Sequence, residues 1–184
     1  MHRTLARTAI LLLALSAGLA GAVAGPSQAE LDTLFAKLRD PARGAKVLSI
    51  EPQIWDAWMH SGTDAENEAL AKATQTMNLG AFALAEQQFT AMVVTSPDYA
   101  EVWNKRATLY FLMGRMDDSL NDVAKTLDLE PRHFGALSGR GMIFQRLGKN
   151  AEALAAFKEA LTMNPNMVGA KLAVQQLEKL LPEL

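Results

Sequence analysis

The chain has 184 residues, 49% hydrophobic and 21% charged, with 12 Gly, 7 Pro and no Cys. That balance excludes wholesale disorder, a collagen-like chain and a disulfide-stapled miniprotein, and the missing cysteines exclude zinc fingers, thiol nucleophiles and iron–sulfur clusters. With 18 Lys and Arg against 20 Asp and Glu, no basic excess exists to neutralise a phosphate backbone, so nucleic acid is not an expected partner.

The N-terminus carries Arg3 and Arg7, then an apolar run over residues 9–24, then a small-residue tract ending Ser27-Gln28-Ala29. This is the order of a secretory signal, predicting a leader over 1–29, cleavage after Ala29 and a periplasmic or secreted protein. The competing expectation is an uncleaved membrane anchor, because residues 9–25 lie at the lower limit of a helical span. A membrane is an expected partner only in that case. A bacterial lipid anchor is excluded because it requires a Cys.

Residues 30–62 follow as a predicted helical cap. Leu31, Leu34, Phe35 and Leu38 recur at i, i+3, i+4 and i+7, one face of a helix, which Asp40-Pro41 ends. A second helical stretch, about 42–60, carries Ile54, Trp55, Trp58 and Met59, with a break or kink expected at Pro52. The expected place for this hairpin is the end of the first repeat, where it would bury both tryptophans.

The remainder is periodic. Pro97, Pro131 and Pro165 are 34 residues apart, as are Gly80, Gly114 and Gly148. At fixed offsets from each Gly stand Ala73, Ala107 and Gly141, then Ala85, Ser119 and Ala153, then Phe89, Val123 and Phe157. Two helices per period explain these columns: a left-handed Gly ends the first helix, and small residues let the pair approach closely. Each Pro is expected where a new helix begins. Thr63-Asp64-Ala65-Glu66 reads as a capping box opening the first period.

These residues resemble the tetratricopeptide repeat (TPR) pattern. It is fullest in residues 100–133, with Trp103, Ala107, Tyr110, Gly114 and Pro131, and clear in 134–167, with Gly141, Phe144, Gly148, Ala153, Phe157 and Pro165. Residues 66–99 are a degenerate copy, with Ala69 and Thr76 where aromatics are usual. Residues 168–184 form an amphipathic helix backed by Gln175, predicted to cap the stack. The resemblance implies an all-α superhelix, a TPR solenoid of about three helix-turn-helix repeats with an N-terminal helical hairpin and a C-terminal capping helix.

No constellation of catalytic residues is legible. His60 and His133 lack metal-ligand spacing and are expected to be solvated. Gly135-x-x-x-Gly139-x-Gly141 follows no strand and reads as helix packing, not a phosphate loop. Ser138 completes no nucleophile elbow. Met113/Met116 and Met163/Met167 invite a copper(I) reading, yet a Gly or Pro interrupts each pair, so core or groove filling is preferred. Asp117-Asp118 suits a helix start. No cofactor and no metal are expected.

Function then falls to the concave face. By the resemblance it is lined by the first helix of each repeat, which selects Asn104, Lys105, Thr108, Phe111 and Leu112 with Glu101 in the second repeat. The third supplies Ser138, Met142, Gln145 and Arg146 with Gly135 and Gly139. The first contributes Leu70, Ala71, Thr74, Met77 and Asn78. The carboxylate-clamp subtype is excluded, because Leu70, Thr74, Lys105, Gly135 and Gly139 stand where it needs other residues. The expected function is a non-catalytic scaffold or adaptor of the cell envelope that binds a protein or peptide client in this groove. The alternatives are a membrane-tethered assembly factor or chaperone, a metal or small-ligand carrier, or a groove filled by the chain's own N-terminal hairpin.

Overall fold

The computed structural model describes residues 27–40 and 48–181. Among them are α1 (Gln28–Leu38), α2 (Ile50–Met59), α3 (Asp64–Asn78), α4 (Phe82–Thr95), α5 (Ala100–Leu112), α6 (Met116–Leu129), α7 (Phe134–Arg146), α8 (Asn150–Met163) and α9 (Val168–Leu180), with no strand. Helices α3/α4, α5/α6 and α7/α8 form successive antiparallel pairs, and α9 closes on α8. The apolar run of the expected leader or anchor lies outside the described residues. No described helix is long and apolar enough to cross a membrane.

The punctuation follows from local chemistry. Gly80, Gly114 and Gly148 end α3, α5 and α7 at φ 78°, 78° and 72°, a conformation that a Cβ penalises. Thr63 and Glu66 form the expected capping box. A second box, not anticipated, opens α1: Ser27 accepts from the Glu30 amide while the Glu30 side chain accepts from Ser27. The residues preceding the expected cut after Ala29 are therefore part of this helix and its cap.

Two expectations about proline are corrected. Pro97, Pro131 and Pro165 lie in turns before α5, α7 and α9, not inside the helices. Pro52 sits in the first turn of α2, where its missing N–H breaks no helical bond.

Small residues set the pair geometry. Ser119 donates its hydroxyl to the Ala107 carbonyl at 2.7 Å across α5/α6, and Gly141 lies under the Phe157 ring. A Cβ at Gly141 would fall 2.8 Å from that ring. Gly141→Leu is therefore expected to cost about 1–3 kcal/mol by overpacking, read as a lower urea midpoint with an unchanged slope; an unchanged midpoint would refute this packing.

The hairpin packs chiefly on the third repeat rather than the first, which it meets only at its end, where Met59 packs against the first-repeat cluster and its carbonyl accepts from the Tyr99 hydroxyl. Leu31, Phe35, Leu38, Ile50, Ile54 and Trp58 share a buried cluster with Phe134 of α7, against which Met163 and Met167 also pack. Trp55 projects onto α7 at Gly135, so the hairpin lies across the concave side. The physical reason is where apolar partners stand: Phe134, Met163 and Met167 meet it at the front of the third repeat. Arg132 bonds Asp32 at 2.5 Å and Gln28 at 2.8 Å, Asn164 bonds Glu51 at 2.9 Å and Asn166 bonds the Leu38 carbonyl at 3.0 Å.

Candidate groove and its covered floor

The concave side is formed by α3, α5, α7 and α9, and its centre is sealed. Glu101 and His133 are completely buried. His133 is the N-cap of α7, its Nδ1 accepting from the Ala136 amide at 3.0 Å. With Nδ1 an acceptor, Nε2 carries the hydrogen that bonds the Glu101 carboxylate at 2.8 Å. Glu101 also accepts from Asn104 at 3.1 and 3.2 Å and pairs with Lys105 at 3.0 Å. Burial works against the Glu101 charge, but the His133 hydrogen bond, followed by Lys105, outweighs it and holds the carboxyl below its ordinary 4.5.

Trp58 is the lid of this network, stacked on the His133 ring at 4.0 Å and 12°. Trp55 stands edge-on to Trp58 at 5.3 Å and to His133 at 5.6 Å. It occupies the space that a side chain at position 135 would need: a Cβ on Gly135 would fall 2.3 Å from its ring. The expectation that His133 is solvated is thus overturned, whereas His60 is exposed beside Asp56. No local spacing marks His133, because its cover arrives from a distant helix.

Among the candidate groove residues, Asn104 and Lys105 are engaged with the covered floor. Thr108 donates to the Asn104 carbonyl at 3.0 Å and faces outward beside Phe111, Ser138 and Met142. These line a hollow of about 280 Å³ with Trp55, Gly139 and Met167. A second hollow, about 510 Å³, continues between α7 and α9 and contains Gln145, Gly169 and Ala173. Ser138, Met142 and Met167 border both, so the two form one trough. Arg146 lies over the Phe111 ring at 5.4 Å. Leu112 and Met142 stay 52% and 46% exposed.

Sequence reasoning missed two contributors to this trough. Trp55 walls it from the hairpin, and α9 extends it: Leu172 is 53% exposed beside the buried Ala170 and Leu177 that hold the helix to the stack. The available signal was that Gly169, Leu172 and Ala173 continue the groove positions of α5 and α7 by one more period. No group of three His, Asp or Glu side chains capable of holding a metal exists among the described residues.

Two glycines of one helix lead to opposite predictions. Gly135 faces Trp55, while a Cβ on Gly139 would meet nothing within 4 Å. Gly139→Ala is expected to raise stability by about 0.5–1 kcal/mol through helix propensity. Gly135→Ala is expected to lower it by about 1–3 kcal/mol through overpacking. Chemical denaturation of both variants checks the pair, and equal shifts would contradict the hairpin's position.

The lowered Glu101 carboxyl also sets an acid limit. Its contribution to stability is full at neutral pH, above the unfolded value of 4.5, and is lost as pH falls through the lower folded value. Stability measured from pH 7 down to pH 3 should therefore drop below pH 4.5, and Glu101→Gln should flatten that drop while lowering stability at pH 7. An identical acid profile for the variant would exclude Glu101 as its source.

The tetratricopeptide repeat family profile matches residues 135–167. A TPR repeat-containing protein of Rhizobium etli is 35% identical over 161 residues, covering 83% of this chain and 78% of that protein. DnaJ homolog subfamily C member 3 of Bos taurus is 35% identical over 100 residues, 54% of this chain but only 20% of that protein. Among solved structures, the first TPR of Spaghetti (RPAP3), bound to the HSP90 peptide SRMEEVD, superposes with a TM-score of 0.61 at 20% identity, over 64% of this chain and 94% of that one. The Yersinia enterocolitica type III secretion chaperone SycD, in complex with a peptide of the translocator YopD, gives 0.57 at 15% identity, over 66% and 92%. Sharing 35% identity with a TPR repeat-containing protein over 83% of its own length and 78% of that relative's, the chain belongs to the tetratricopeptide repeat family.

Proposed function

We propose that this protein is a non-catalytic interaction module that binds a polypeptide segment of another protein in the part of the concave face its own hairpin leaves open. The observation that carries this reading is the trough between α5, α7 and α9, with apolar walls at Trp55, Phe111 and Met142, while Leu112 of α5 and Leu172 of α9 are also exposed. Apolar area left uncovered in a soluble fold is a binding surface or a liability. Polar groups at Thr108, Ser138 and Gln145 suit the backbone of an incoming chain. Structural neighbours that hold peptides of HSP90 and YopD support the same mode.

The hairpin is a fixed wall in this reading, not the client's competitor. Displacing it would expose Phe35, Ile54, Trp58 and Phe134, each worth about 1.5–3 kcal/mol of burial, and would uncover Glu101 and His133. The client accordingly meets α7 and α9 more than α3.

The reading extends to the cell envelope through Arg3, Arg7 and the apolar run after them, with a cleaved leader as the first alternative. The second is a membrane-tethered assembly factor or chaperone, favoured by the Ser27 capping box, because a cut after Ala29 removes a cap worth about 1 kcal/mol. Intact-mass measurement of protein from the native host decides between them: a chain beginning at Glu30 supports cleavage after Ala29, and a full-length chain supports the tether.

Met142→Glu and Phe111→Glu test the groove. Each is expected to weaken client capture by about tenfold or more, as loss of an interface anchor does. The exposed Met142 should leave thermal stability nearly unchanged, and undiminished recovery of the same client by both variants would place binding elsewhere.

A further inference from the structure

We infer that the trough takes a peptide segment pairing one large apolar side chain with a carboxylate, the side chain entering between Trp55, Phe111 and Met142 over Gly139 and the carboxylate meeting Arg146. This rests on the groove-binding reading and adds the chemistry of the ligand.

Size comes first. The hollow beside Trp55 holds about 280 Å³, at the floor of the roughly 300–1,000 Å³ typical of small-molecule sites. It is open along one side into the α7–α9 hollow. Those dimensions suit one or two side chains of a longer chain rather than an enclosed cofactor.

The chain itself displays the mode of entry. At Gly135 the missing Cβ makes room for the Trp55 ring, whereas four residues on, at the same face of α7, the room left by Gly139 is occupied by nothing. A glycine inside a helix weakens it, and no neighbour within this fold requires the one at 139. The trough therefore continues the surface on which the hairpin's tryptophan is already seated, and a second bulky side chain laid beside Trp55 would complete it.

Charge selects the remaining feature. Lys105 is spent on Glu101. Glu51 is held by Trp55 and Asn164. Arg146 is exposed, its guanidinium 5.4 Å from the centre of the Phe111 ring that walls the hollow, and has no carboxylate partner among the described residues. An exposed guanidinium beside a ring keeps its N–H groups open to an incoming carboxylate.

The test is selection of a random linear peptide library displayed on phage against the full chain, repeated with Arg146→Glu and Gly139→Leu. The expected result is enrichment of peptides pairing Phe, Trp, Leu or Met with Asp or Glu. Arg146→Glu should bind those peptides about tenfold or more weakly and select Lys or Arg in place of the acid. Gly139→Leu, whose side chain fills the hollow, should lose them while melting no lower than the parent. Peptides that bind in the trough, as judged by loss on Phe111→Glu, but show no acidic preference would overturn this inference and leave the groove reading standing. Peptides indifferent to every one of these substitutions would overturn both.

Discussion

The molecule depends on keeping one carboxylate charged where no water reaches it. Glu101 has no exposed surface, and an ion so placed is tolerable only when every oxygen is paired. Asn104, Lys105 and His133 supply those partners from α5 and the start of α7. The other nitrogen of His133 caps α7, so one ring joins the buried carboxylate to the helix start, and Trp58 stacks over it.

That arrangement changes how a repeat protein holds together. In a stack of helix pairs each repeat touches only its neighbours, and stability is close to a sum of local terms. Here contacts separated by 100, 113 and 128 residues tie the hairpin to the turn before α7 and the turn after α8. The hairpin crosses the inside of the curve, so bending or opening of the stack would strain the buried ion network. The concave face becomes stiffer and shorter than the number of repeats implies.

The period was legible because its columns are backbone necessities. A left-handed glycine at 80, 114 and 148, and small residues at 107 and 141 beneath Ser119 and Phe157, recur wherever the same turn and the same close approach recur. The candidate groove positions on α5 and α7 came from family resemblance; of them Phe111 and Met142 line the hollow, and Arg146 lies over the Phe111 ring. The hairpin's destination was legible only as an alternative, the filling of the groove by the chain's own N-terminal hairpin. Leu31, Phe35, Leu38 and Trp58 declare an apolar face, but periodicity names no partner for it, and the nearest repeat in sequence was a natural guess. The overlooked clue was Gly135: a glycine in the first turn of a helix that needs no small residue for its own pair marks something large arriving from elsewhere.

Trp55 joins the buried ion network to the open hollow. Its ring packs on Gly135 and on Trp58, which ties it to the buried charge, and its outer face is a wall of the open hollow. A side chain so braced has lost its rotamer freedom before any ligand arrives, so the entropic cost of ordering that wall falls on folding and not on binding. The same bracing makes the hollow's shape a property of three elements far apart in the chain, α2, α5 and α7. In the proposed binding mode, selectivity is therefore written partly in the hairpin, which places no residue at the repeat's own lining positions.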